Sequence, residues 1–233
     1  MLNLKDKVAI YMESNLDSDY GKMGMGVVRF LTNQITCVID SNHAGKSIKL
    51  FIDTNRNIPI VSSLEIAIEK KSSVLILGIA PSGGKIPEEW TPIIEKALKS
   101  GLSIVNGLHE LLFPSWKDLI KKNKNQWIWD VRTPLFVPEI ATGKASKLIN
   151  KRILFIGTDM AVGKMTAALE IYSFLNKKSE SVGFVATGQI GITLTGKGIP
   201  LDAFKVDHAC GAVETAVLEH SKKEIVLIEG QGS

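Results

Sequence analysis

Short runs of β-branched and aliphatic residues alternate with segments of helical periodicity along most of the chain. That alternation predicts an α/β protein built on parallel sheet. The run KVAIYME (Lys7–Glu13) reads as a first strand, and a helix follows from near Gly24 through GVVRFL. TCVIDS (Thr36–Ser41) is a second strand. IPIVSS is a short third, ahead of a helix opened by Ser62 with Glu65 three places on, the spacing of a capping box. SVLILGIA (Ser73–Ala80) is apolar without a break, as in a central strand covered on both faces. PSGGKIPEEW leads into a helix with Pro87 and two acids in its first turn. Trp90, Ile93, Ile94, Ala97 and Leu98 give that helix one apolar face, and Gly101 falls where a C-terminal cap belongs. LSIVNG and QWIWDV (Gln126–Val131) are two further strands.

From Arg132 the periodicity lapses, and TPLFVPEIATGKASK reads as a linker. The expected division is residues 1–145 and 146–233. The second unit opens with KRILFIG and offers three strands: Ile153–Ile156, Val182–Ala186 and Ile225–Glu229. Three parallel strands ending on their own loop cover a core poorly, so the sequence is expected to be the N-terminal part of a longer protein. TGQIGITLTGKG (Thr187–Gly198) is expected to be a glycine-rich loop of the kind that serves as a mobile lid.

With 45% hydrophobic and 22% charged residues, the composition is that of a soluble globular chain. The formal charge of +4 is spread over scattered lysines. No basic stripe interleaved with aromatics points to nucleic acid, and no apolar run is long enough for a bilayer. Cys37 and Cys210 are the two cysteines, which excludes a disulfide framework or a zinc ribbon. The expected compartment is cytoplasmic and the expected partner a small-molecule substrate; a homo-oligomer is left open.

FIGTDMAVGKMTAAL (Phe155–Leu169) carries the most chemistry. It runs strand, glycine turn, helix, the context of a phosphate-binding loop. Glycines let successive N–H groups face inward, the new helix adds its unpaired N–H groups, and Lys164 adds a full charge. Gly157, Thr158, Asp159, Ala161, Val162, Gly163, Lys164, Met165 and Thr166 are the candidate phosphate contacts. Two details depart from the common form. Five residues separate Gly157 from Gly163 where four are usual, and Met165 stands where a hydroxyl would hold magnesium. Thr166 is turned by about 100° around the helix and is no simple substitute. Phosphate binding is therefore expected, while magnesium-dependent NTP cleavage is doubtful.

Long ordered motifs carry a family resemblance. GTDMAVGKMTAALE, FVATGQIGI, CGAVETAVLE and VLIEGQGS in the second half, with VIDSNHAGK, GIAPSGGKIPEEW, IVNGLHELL and WDVRTP in the first, resemble the DgcN-type D-glutamate N-acetyltransferase family. The resemblance covers essentially the whole chain. It implies a Rossmann-like N-terminal domain followed by a P-loop NTPase-like parallel-sheet domain, and acetylation of D-glutamate from acetyl-CoA. It also implies a chain longer than this one. The P-loop half is similar to dethiobiotin synthetase too, although there a Thr follows the lysine directly.

Acetyl transfer needs a base, cations for substrate carboxylates, and a grip on coenzyme A. Glu229 ends an apolar strand before a flexible GQG and is the first base candidate; its alternatives are a Walker-B-like metal contact and a carboxylate capping a helix N-terminus. Asp159 inside the loop is a second catalytic candidate and His109 after VNGL a third. Arg132 is a candidate carboxylate holder, with Arg29 behind it. Gln189 and the APSGGK turn, with Gly83 and Gly84, are candidate substrate contacts. Metal binding through His208 and Cys210 is not expected. Three rivals remain: a nicotinamide dehydrogenase with Asp40 reading a ribose, an ATP-dependent ligase or kinase like dethiobiotin synthetase, and a nucleotide-binding module without catalysis.

Overall fold

The computed structural model describes residues 2–121, 125–159 and 162–231. Ala161, one of the candidate loop contacts, lies outside them. The chain divides into two units, Met1–Val131 and Arg132–Ser233.

Among the described residues, the first unit is a six-stranded parallel sheet of β1 (Lys7–Tyr11), β2 (Gln34–Ile39), β3 (Ile60–Val61), β4 (Val74–Leu77), β5 (Ser103–Asn106) and β6 (Ile128–Asp130). Their order is β3-β2-β1-β4-β5-β6, the doubly wound arrangement that reverses direction between β1 and β4. Strand alternation splits the core. Ala9 and Tyr11 of β1 join Leu75, Leu77 and Ile104 beneath α2 (Leu64–Glu69) and α3 (Thr91–Lys99). Ile10 and Met12 face α1 (Lys22–Phe30), which comes so close that Gly24 donates its N–H to Gly78 O at 2.8 Å. A Cβ on Gly24 would sit 2.4 Å from Met12 Sδ, so glycine there is a packing requirement. A four-residue α4 (Phe113–Trp116) follows β5.

Helix ends mostly follow the sequence pattern. Gly101 takes φ +92° just past α3, as its C-terminal position predicts. The expected capping box at Ser62 does not form. The chain enters α2 one residue later, with Ser63 in the N-cap position and no side-chain cap bond.

In the second unit β7 (Lys151–Phe155), β9 (Ile225–Glu229) and β8 (Val182–Val185) form a parallel sheet in the order β7-β9-β8. α5 (Lys164–Lys177) lies on one side, where Tyr172 meets Phe184 at 5.3 Å between ring centroids. α7 (Val206–Glu219) lies on the other, with Ala212, Ala216 and Val217 packed on Val185 and Val226. β7 is an edge strand, and Ile153 and Leu154 are 46% and 56% exposed.

The segment TPLFVPEIATGKASK, residues 133–147, expected as a linker, is strapped onto α7. Glu214 accepts the N–H groups of Thr142 (2.6 Å) and Ala145 (3.0 Å), which hold its carboxyl below the usual range. His208 Nδ1 lies 2.8 Å from Pro138 O. Gly211 passes so near Glu139 O that a Cβ would clash at 1.7 Å. No periodicity marks such a segment, because backbone groups make most of its bonds. Among the described residues no helix is long and apolar enough to cross a membrane.

Candidate functional site

Parallel strands deliver their side chains and loops to the carboxyl edge of a sheet, and the second unit places its chemistry there. β7 ends at Phe155, directly opposite Glu229 in the register with β9. Gly230 then permits the two chains to stay close, since a Cβ there would meet Phe155 O at 2.1 Å. The phosphate-loop motif and Glu229 therefore leave neighbouring strand ends.

The loop turns into α5 through Gly163, whose φ of +99° suits glycine alone. The first i→i−4 bond runs from Ala167 N to Gly163 O (2.9 Å). Ahead of it stand the N–H groups of Lys164, Met165 and Thr166 at the positive end of a 14-residue helix. Lys164 curls back so that its ammonium donates to Asp159 O at 2.5 Å. Asp159 thus orients Lys164 through its carbonyl. Gly157 is needed where the lysine stem passes, because a Cβ would lie 3.0 Å from Lys164 Cγ and 2.6 Å from Val162 Cγ2. These features fit a bound phosphate: donors, a cation and no competing carboxylate bond to Lys164 Nζ among the described residues. Met165 and Thr166 occupy the second and third positions of the helix, so the nearest helix hydroxyl is one residue beyond the usual metal-holding place.

Glu229 is only 6% exposed. Its Oε2 accepts Thr187 N (3.0 Å) and Gly188 N (3.2 Å). Burial pushes the carboxyl above its ordinary value, and those two N–H bonds pull partly back. Thr187, buried between them, also gives its hydroxyl proton to Glu229 O (2.8 Å) and receives Gln231 Nε2 (2.8 Å).

The expected lid is not a loop. Gly188 caps α6 (Gln189–Thr195), Gly196 ends it in the left-handed region, and Ile192 buries its side chain. Thr193 and Thr195 donate to the carbonyls four residues back. The glycines that suggested mobility instead make room for Glu229. A Cβ on Gly191 would lie 2.6 Å from Glu229 Oε2, and one on Gly188 would lie 3.2 Å from Oε1. Gln189 opens α6 beside this carboxylate and gives its carbonyl to Thr193.

The other candidates belong to the first unit or hold other partners. Arg132 is paired with Asp202, its side chain 12% exposed. Arg29, in the last turn of α1, lies over the Phe30 ring. In the first unit, His109 and Glu110 both donate backbone N–H groups to Gly84 O, at 3.0 and 3.1 Å. Gly84 has φ +62° and abuts the His109 ring, so the predicted histidine and the predicted glycine turn do meet. Gly83 shares that turn with φ +78°. Asp40, the proposed ribose reader, is fully buried. Its oxygens serve Leu16 N (3.3 Å), Asn42 N (3.0 Å) and His43 Nδ1 (3.2 Å), so the fold spends this carboxylate on its own loops.

Thr187, Gly188, Gly191 and Gln231 were not singled out as site residues from the sequence. They lie within the motifs FVATGQIGI and VLIEGQGS, whose residue pattern does not say that they surround Glu229.

Comparison with known proteins agrees with this architecture. Residues 41–134 match the DUF1611_N Rossmann-like domain, and residues 139–233 match the DUF1611 P-loop domain; both are described as domains of unknown function. A Pseudoalteromonas protein named D-glutamate N-acetyltransferase is 38% identical over 164 residues, which is 70% of this chain and 48% of that one. A Tritonibacter scottomollicae protein of the same name is 38% identical over 173 residues, 73% of this chain and 51% of that one. The chain thus spans about half the length of these curated relatives. The crystal structure of a DUF1611 family protein from Anabaena variabilis ATCC 29413 is 41% identical with a TM-score of 0.92, covering 98% of this chain and 67% of that one. With both domain models matched in order and a solved member superposing on 98% of this chain, this chain belongs to the DUF1611 family.

Proposed function

We propose that the protein is an N-acetyltransferase that moves the acetyl group of acetyl-CoA to the amine of an acidic amino acid, D-glutamate by the names of its relatives. The observation that carries this reading is the pairing of a phosphate cradle lacking the magnesium hydroxyl with a buried carboxylate on the adjoining strand end. Lys164 and the N–H groups at the start of α5 hold phosphates of the coenzyme, which requires no cleavage of them. Glu229 accepts a proton from the substrate ammonium. The amine lone pair then attacks the thioester carbonyl carbon. As the C–S bond breaks, the electron pair leaves on sulfur, and the second amine proton neutralises the thiolate. A carboxylate raised by burial is better matched to an ammonium than an exposed one.

One observation favours a second reading. Glu229 ends the strand beside the phosphate loop, where an ATP-cleaving enzyme would place a metal-contacting acid. An ATP-dependent ligase or kinase would then be the activity. An amine panel with acetyl-CoA, followed by thiol release, tests the first reading. Thiol release with D-glutamate supports it; release with no amine, together with ADP formation from ATP, overturns it in favour of the second.

A further inference from the structure

Hydrogen-bond polarity around Thr187 fixes which end of the Gln231 amide faces inward. A threonine hydroxyl has one hydrogen to give. Here it goes to the Glu229 carbonyl, which can only accept (2.8 Å). The contact between Thr187 Oγ1 and the Gln231 side chain, also 2.8 Å, therefore runs from the amide nitrogen to the hydroxyl. Nε2 carries two hydrogens, and that bond uses one of them. The second makes no hydrogen bond among the described residues.

This donor stands beside the buried carboxylate. A Cβ built on Gly188 would lie 3.0 Å from Gln231 Nε2 and 3.2 Å from Glu229 Oε1, so both atoms flank the same bare stretch of backbone. Oε2 of Glu229 is occupied by Thr187 N and Gly188 N, while Oε1 has no hydrogen bond among the described residues. No buried side-chain polar atom in those residues lacks a partner, so Oε1 is not sealed in the interior. The flank of Gly188 thus presents one acceptor and one donor side by side.

From this pairing we infer that Gln231 is a catalytic residue whose Nε2–H meets the oxyanion formed from the thioester carbonyl, next to Glu229 Oε1 as the base. The inference rests on the acetyl-transfer reading and names a second participant in it. Oε1 takes a proton from the substrate ammonium, and the amine lone pair forms the new C–N bond at the thioester carbon. The carbonyl π pair moves onto oxygen, where negative charge grows and the amide N–H receives it. When that pair returns, the C–S bond breaks, its electrons leave on sulfur, and the second amine proton goes to the thiolate. A donor aimed at developing charge acts mainly in the transition state, because the neutral carbonyl of the ground state holds it weakly. Thr187 is a positioning residue. Its hydroxyl accepts from Nε2 and so turns nitrogen, not oxygen, toward Gly188. An amide oxygen in that place would repel the oxyanion.

The test compares Gln231→Ala, Gln231→Glu, Thr187→Val and Thr187→Ser with the wild-type full chain, by thiol release from acetyl-CoA with D-glutamate. Gln231→Ala should lower kcat about 100-fold or more, the usual loss for one oxyanion donor. KM for both substrates should stay within about twofold of wild type, as for an interaction made only in the transition state. Gln231→Glu keeps the size, replaces the donor by an acceptor, and should be at least as slow. Thr187→Val frees the amide to swing and should lower kcat by about 10–100-fold. Thr187→Ser keeps the hydroxyl and should recover most of that loss. The acid limb of kcat/KM, which belongs to Glu229, should stay at the wild-type pH in Gln231→Ala. Gln231 is exposed, so its truncation tests the idea even if Thr187→Val folds poorly. An active wild type whose kcat survives Gln231→Ala, or in which that change raises KM alone, would overturn the oxyanion role alone. A wild type that releases no thiol with any amine would instead overturn acetyl transfer.

Discussion

Substituting Gly191 by Ala probes the packing that holds Glu229. The added Cβ would stand 2.6 Å from Glu229 Oε2 and 3.0 Å from Ala186 Cβ. Oε2 cannot retreat cheaply, because it accepts Thr187 N at 3.0 Å and Gly188 N at 3.2 Å. Yielding would sacrifice these bonds, each worth about 1.5–3 kcal/mol when the acceptor is charged. Holding the bonds and moving α6 costs about 1–3 kcal/mol, the usual range for overpacking. The smaller cost sets the outcome, and alanine recovers about 1 kcal/mol of helix propensity over glycine. Gly191→Ala should therefore destabilise the second unit by up to about 2 kcal/mol. Urea unfolding followed by tryptophan-independent far-UV circular dichroism measures this, and a second background isolates the cause. In Glu229→Ala the colliding carboxylate is gone, so the same Gly191→Ala change should be neutral or stabilising. Equal destabilisation in both backgrounds would refute the claim that Gly191 exists to admit the carboxylate.

Other expectations follow from the same geometry. Lys164→Ala removes the cation of the cradle, and a lost charge-assisted contact of about 1.5–3 kcal/mol weakens acetyl-CoA binding by about 10–150-fold; titration calorimetry showing unchanged affinity would contradict the phosphate assignment. Burial raises Glu229 above the ordinary carboxyl value, so kcat/KM should fall with acid from a pH above that range, and Glu229→Gln should abolish both rate and limb. The same shift has a stability sign. The favourable contribution of the protonated acid is full below the unfolded-state pKa and is lost as pH rises through the raised folded value. Wild type should therefore lose stability relative to Glu229→Gln across that window, and parallel pH-dependent melts showing a constant difference would argue against a raised carboxyl.

Much of the architecture was legible because it rests on periodicity. Unbroken apolarity in VLIL and strict helical spacing from Trp90 to Leu98 state strand and helix without outside help. The phosphate loop was legible for a similar reason, since Gly163 and Lys164 act within a few residues of each other. Failures came where a residue answers to something distant in sequence. The glycines at 188 and 191 resemble those of a mobile loop, yet their purpose is a carboxylate about forty residues later, at position 229. Thr187 and Gln231 sit inside motifs that carry the family resemblance, but their role lies in a hydrogen bond that only the β8–β9 pairing creates. Arg132 looked available because Asp202 stands far along the chain. The segment after Arg132 looked like a linker because its anchors are backbone groups bound to α7.

In the proposed reaction this phosphate loop grips acetyl-CoA for transfer without a metal-assisted cleavage. Thiol release from acetyl-CoA with D-glutamate, measured once with EDTA and once with magnesium and ATP, tests it most directly. Equal rates of thiol release in both mixtures, with N-acetylated product and no ADP, are the predicted result. ADP formation that depends on magnesium, with no thiol released in either mixture, would contradict it.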